Sequence, residues 1–152
     1  MATFNTAEYT KQADGLLSNR VAGQIASGDT RIAEAVYTTA GTEAAADLVN
    51  VITLPIGAVV LPENCRYAYE ASGGTGTAIS TLGDAGDDDR YSATSVTITS
   101  AGTTAVTPVT DRVLTRYEVT ASTNTVIAKL GLSSGSVTAG KKIKFVIAYR
   151  LP

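Results

Sequence analysis

Residues 78–91 read A-I-S-T-L-G-D-A-G-D-D-D-R-Y: a short apolar run, a glycine-punctuated acid segment, and an Arg-Tyr pair leading into another alternating stretch. Gly83 and Gly86 can take the positive-φ angles of a tight reversal without steric cost. Asp84, Asp87, Asp88 and Asp89 can accept bonds from nearby backbone N–H groups, and Arg90 is a fixed cation within their reach. The stretch predicts strand, turn, strand. Thr77 to Leu82 forms the first strand and Ser92 to Ser100 the second, with the acids in the loop between.

Reading outward in both directions, the same texture continues. Arg31 to Thr39 carries helix and strand signals together, and its β-branched density with T-T-A-G following favours strand. Glu43 to Asp47 is an Ala-rich link. Leu48 to Leu54 is a strand stopped by Pro55 and Gly57, Ala58 to Leu61 continues the apolar run, and Pro62 with Asn64 turns the chain. Cys65 to Ala71 alternates, with Cys65, Tyr67 and Tyr69 on one face. Ser72 to Gly76 is a glycine-rich turn, and another is expected around Gly102. Asp111 to Ala121 is the longest alternating run, with Val113, Tyr117 and Val119 sharing a face. Thr125 to Leu130 and Lys142 to Arg150 follow, the latter turning Ile143, Phe145, Ile147 and Tyr149 inward.

The sum is about eight short strands at sandwich-like spacing, with little room for crossover helices. The expected fold is all-β: an antiparallel, jelly-roll-like β-sandwich over residues 30–152, preceded by an extended N-terminal arm, residues 1–29. Twenty-three threonines leave the outward faces β-branched but polar, as suits a sheet that meets water or another protein. The arm has two readings. It is a disordered tail, or it orders against a neighbouring subunit and buries Phe4, Tyr9, Leu16 and Leu17 there.

Composition excludes several functions. A net charge of −2 with scattered basic residues supplies no stripe for nucleic acid. The chain has no histidine, so the commonest general base and metal ligand are missing and the usual nucleophile triads cannot form. Cys65 is the only cysteine, which rules out an intrachain disulfide and reads as a small buried hydrophobe. No run has the length of a signal-peptide core or a membrane span. The chain is expected to stay in a cytoplasm until it assembles, with no cofactor and no small-molecule substrate.

Carboxylate chemistry remains. A paired-carboxylate hydrolase needs acids flanking a cleft, whereas the dense acids here share one turn. The same acids could offer hard oxygen ligands to calcium, but D-x-x-D-D-D is not an EF-hand spacing and no glutamate follows at its twelfth position. The preferred reading is a turn capped by its own carboxylates and partly neutralised by Arg90.

The pairing of L-P-I-G-A-V-V-L, within residues 48–61, with T-L-G-D-A-G-D-D-D-R-Y at 81–91 resembles a pattern of small virion proteins from tailed bacteriophages. Capsid decoration (cement) and head-fibre subunits carry such pairs. The resemblance covers residues 48 to 91 well and the terminal I-A-Y-R-L-P loosely. It implies a β-sandwich homotrimer on the outer capsid surface whose partner is the major capsid protein. The rival it leaves is a tail or fibre module that recognises a host surface. The lack of tryptophan weighs against a sugar-binding platform.

Overall fold

The computed structural model describes residues 2–6, 9–10, 30–72, 78–111, 116–131 and 137–151. Within them are eleven strands: β1 (Thr3–Asn5), β2 (Thr30–Thr38), β3 (Leu48–Thr53), β4 (Val59–Val60), β5 (Arg66–Tyr69), β6 (Ala78–Asp84), β7 (Asp87–Ser92), β8 (Val96–Thr97), β9 (Gly102–Ala105), β10 (Thr125–Gly131) and β11 (Lys142–Arg150). Eight of these have four or more residues, and β1, β4 and β8 are shorter additions at the margins. One sheet runs β1-β3-β10-β6-β7, with β8 beside β6; the other runs β2-β11-β5-β9, with β4 beside β11. All pairings are antiparallel except β1 with β3. This is a β-sandwich.

Alternation explains how the two sheets meet. From β2 come Ala33, Ala35 and Tyr37; from β11, Ile143, Phe145, Ile147 and Tyr149; from β5, Tyr67. Opposite them lie Val49 and Val51 of β3, Ile79 and Leu82 of β6, and Val126, Ala128 and Leu130 of β10. Register sets large against small: Phe145 faces Ala35, and Ile147 faces Ala33. On its other side Phe145 faces Tyr67, the rings edge-on at 87° with centroids 5.8 Å apart. That geometry suits the quadrupoles of the two rings.

Four local expectations are corrected. First, part of the N-terminal segment lies in the sandwich. Thr3, Phe4 and Asn5 pair with Leu48, Val49 and Asn50, and Thr6 donates from its backbone N–H to Asn50 O at 3.0 Å. Irregular apolar spacing hid the strand, because three residues are too few for alternation to show. Second, the strand after the acid turn begins at Asp87 and ends at Ser92, with β8 separate, so three acids lie in a strand. An edge strand leaves charged side chains in water, which is why they are tolerated there. Third, Gly102 opens β9 instead of sitting in a turn. It faces Tyr69, whose hydroxyl oxygen lies 3.4 Å and ring atoms 3.5 Å from where a Cβ would be, so the side chain covers an otherwise bare strand position. Fourth, the run 111–121 is not a strand among its described residues. Thr110 and Asp111 are helical, residues 112–115 lie outside the described set, and Glu118 makes one isolated bridge to Val59. Its backbone bonds go instead to a loop: Gly57 N–H to Val119 O at 2.9 Å, and Val119 N–H to Ala58 O at 2.8 Å.

Candidate functional site

The acid hairpin is built around one buried carboxylate. Ala85 and Gly86 form the turn between β6 and β7, and Asp84 pairs with Asp87 across it. Asp84 Oδ1 accepts the Gly86 N–H at 2.9 Å; Oδ2 accepts Arg90 Nε–H at 2.6 Å and the Tyr91 hydroxyl at 3.2 Å. The Asp84 side chain is fully buried and that of Arg90 is 11% exposed. The guanidinium carbon also lies 3.8 Å from the centre of the Tyr117 ring, a cation–π contact. A charge-assisted pair and an aromatic face thus lock the turn from inside. Burial, followed by the Asp84 charge, raises the Tyr91 pKa and keeps its hydroxyl a donor.

Asp87, Asp88 and Asp89 behave differently. Asp87 and Asp88 are half-buried and Asp89 is exposed, and an oxygen from each lies within 4.8 Å of the others. Asp88 accepts a bond from Lys129 Nζ at 2.6 Å. A hydrogen bond with Asp87, some burial and the neighbouring charges raise the Asp89 pKa, as expected of crowded carboxylates. The structure therefore splits the predicted cluster in two. Asp84 and Arg90 belong to the interior, while Asp87 to Asp89 form an acidic surface. Hard oxygen donors at this spacing could hold a divalent cation.

The predicted arm residues are also separated. Phe4 is half-buried against the core, its ring centroid 6.1 Å from that of Tyr37. Tyr9 lies in a helical turn capped by Thr6, whose hydroxyl accepts the Tyr9 N–H at 3.0 Å. Leu16 and Leu17 lie outside the described residues.

A second acidic network was not legible as such in the sequence. Glu43 and Asp47 are 3% and 2% exposed. Glu43 accepts the Tyr37 hydroxyl, the Ala40 N–H at 2.6 Å and the Gly41 N–H at 2.8 Å. Asp47 accepts the Ala44 N–H at 2.9 Å and the Ala2 N–H at 2.7 Å, which ties the start of β1 to the start of β3. Burial works to raise the Glu43 pKa, but the bonds from Tyr37 and the backbone outweigh it and hold it low. Backbone bonds, that of Ala44 first, depress Asp47. Acids a few residues after the T-T-A-G turn were the available signal, since such side chains commonly cap loops.

The chemistry of these groups is structural. The oxygens of Asp84, Glu43 and Asp47 are taken up by donors that shape turns. Cys65 is buried under Leu61 and Ala148, its thiol pushed up to about 12 by burial, which removes thiolate character. What remains open to a partner is surface. On the outer face of the β2-β11-β5-β9 sheet lies a groove of about 420 Å³ bordered by Ile32, Arg66 and Thr103.

No protein-family model and no curated protein matches the sequence. Solved structures do. The chain is similar to one in the capsid asymmetric unit of Cyanophage Pam1, with a TM-score of 0.60 and 26% identity over 88% of this chain and 92% of that one. It is also similar to a chain of the capsid of Ralstonia phage GP4, with a TM-score of 0.67 and 16% identity over 99% of each chain. The sandwich described above is shared with components of two phage capsids.

Proposed function

We propose that this chain is a structural protein of a phage virion that binds the outer surface of the capsid and cements neighbouring major capsid subunits, as a homotrimer and without catalysis. The observation that carries the reading is the likeness, over most of both chains, to a chain of the Pam1 capsid. The site supports it: its buried acids stabilise turns, its cysteine is inert, and its open features are faces and a hairpin edge. Binding would stabilise the shell by mass action, since a subunit that contacts two neighbours binds only while both are in place. The division into an arm and a sandwich belongs to the proposal, with residues 2–6 returned to the sandwich and Tyr9, Leu16 and Leu17 offered to a neighbour.

The test is reconstitution. Purified protein is added to shells assembled from the major capsid protein of the same phage, followed by electron microscopy and thermal disruption of the shells. Density on the outer surface bridging adjacent capsid subunits, with a raised disruption temperature, is expected. Shells that stay bare overturn the proposal, as does density confined to their inner surface.

A further inference from the structure

Two large apolar side chains stand in water among the described residues, Ile32 at 59% exposure and Ile56 at 66%. Each lies beside a charge that its own chain leaves unanswered, and the two charges have opposite signs. The first pair is Arg31 and Ile32 on β2, an edge strand of its sheet. Alternation turns Arg31 to the side of Ala33, Ala35 and Tyr37, between the sheets, and Ile32 outward. Arg31 is half-buried. Its Nε and Nη2 are buried without a hydrogen-bond acceptor, and it makes no ion pair among the described residues. A guanidinium held out of water with nothing to bond is costly to the single chain. These two nitrogens form one side of the guanidinium fork, which fits both oxygens of a carboxylate.

The second pair is Glu118 and Ile56. Gly57 N–H donates to Val119 O at 2.9 Å, and Glu118 bridges Val59, so Ile56 and Glu118 belong to one margin. Glu118 is exposed and makes no ion pair among the described residues. The nearest cation along the chain, Arg116, is taken by Glu63 in a two-pronged pair at 2.6 and 2.9 Å. Register sets the two margins at one level on opposite sides of β11. Arg31 lies opposite Tyr149, Tyr149 opposite Val60, and Val59 opposite Glu118. Three strand spacings, about 14 Å, lie between the backbones of Arg31 and Glu118, and the two do not meet within one chain.

We infer that these margins meet between copies of this chain: Arg31 of one copy receives the Glu118 carboxylate of the next, with Ile32 packed against Ile56. One contact then matches the opposite charges and covers both exposed isoleucines. The long side chain of Arg31 turns its guanidinium to the margin as the carboxylate arrives. Two different surfaces meet, so the contact is heterologous, and a threefold rotation closes it into a ring. The inference rests on the homotrimer reading above and names the surfaces that would build it.

A charge-swap cycle read by light scattering tests it. The wild type, Arg31→Glu, Glu118→Arg and the double variant are compared at several concentrations, with circular dichroism as a check on folding. Each single variant is expected to dissociate at a concentration about tenfold higher or more, and the double variant to recover much of the assembly. Ile56→Asp, on an exposed loop, should also dissociate it and guards against a misfolded β2 variant. Arg31→Met gives a readout that a role within the single chain would not. Its oligomer should weaken while the melting temperature, measured too dilute for assembly, holds or rises. An oligomer indifferent to Glu118→Arg and to Ile56→Asp overturns the inference while leaving the homotrimer standing. Singles that dissociate with no recovery in the double variant also overturn it. So does a dilute Arg31→Met chain that melts lower, since the guanidinium would then be bonded within its own chain. If Glu118→Arg keeps the oligomer but abolishes shell binding, that margin meets the capsid and the inference fails. A monomeric wild type removes the trimer reading and this one with it.

Discussion

Two buried tyrosines contrast in what their hydroxyls do. Tyr91 donates to Asp84, whereas the Tyr67 hydroxyl is buried with no partner among the described residues. A buried hydroxyl without a bond carries its desolvation cost uncompensated, while one that completes a charged network contributes net stability. Tyr67→Phe should therefore raise stability by about 1 kcal/mol, and Tyr91→Phe should lower it by about 1–2 kcal/mol. Urea unfolding of both variants measures the difference; a loss in Tyr67→Phe would mean that the hydroxyl is hydrogen-bonded after all. Glu43 makes a second prediction, on pH. Its folded pKa lies below the ordinary 4.5, so unfolding in acid takes up a proton. Its contribution is complete above that value and is lost as pH falls through the depressed folded pKa. The melting temperature should hold steady from neutrality to about pH 5 and drop below it. Glu43→Gln should start lower and fall less steeply over the acid range.

At the scale of elements, the acid hairpin depends on a glycine more than on its acids. A Cβ built on Gly83 would lie 2.1 Å from Asp87 O and 2.4 Å from Asp88 C, both backbone atoms of the facing strand. The register shifts at this point, the partner moving from Ser92 to Asp87 as β6 advances from Leu82 to Asp84, and Asp84 keeps to the buried face of Leu82, beside Arg90 and Tyr91. Gly83→Ala should destabilise the protein by about 2–4 kcal/mol, since backbone must move to admit the methyl group. Gly140→Ala is the control: its φ is +79° but its Cβ position is open, so strain of about 1 kcal/mol is expected. Equal effects in the two variants would show that crowding at Gly83 is not what holds the hairpin. The same hairpin marks how far the sequence could be read. Long alternating runs such as β2 and β11 announce their faces, because many side chains repeat one choice. Alternation from Leu82 puts Asp84 on the buried side, but the Arg90 and Tyr91 groups that receive it there are brought by a register shift that no periodicity reports. For Val119 the alternation identified a buried side chain correctly, yet its backbone bonds belong to the loop at Gly57 and Ala58. Alternation reports which side is buried and leaves open what the backbone pairs with.

For the whole molecule, the last strand completes what earlier strands leave open. The chain passes from one sheet to the other repeatedly: β2 lies in one, β3 in the other, β4 and β5 in the first again, and β6 to β8 in the second. β11 pairs with β2, β4 and β5 together, joining residues 142–150 to residues 30–38, so its sheet has no centre until β11 is in place. Ile143, Phe145 and Ile147 are each at most 1% exposed. Burying such side chains contributes about 1.5–3 kcal/mol apiece, and their sum rivals the ~5–15 kcal/mol by which a domain is stable. Truncation before Lys142 should therefore leave no cooperative unfolding transition, whereas removal of residues 1–6 should lower the melting temperature and keep the sheet signal in circular dichroism. Closing such distant pairings costs loop entropy before any contact compensates, so refolding from urea should take milliseconds to seconds rather than microseconds. A truncated chain that still melts cooperatively would place the nucleus of stability in the β3-β10-β6 sheet and reduce β11 to a covering strand.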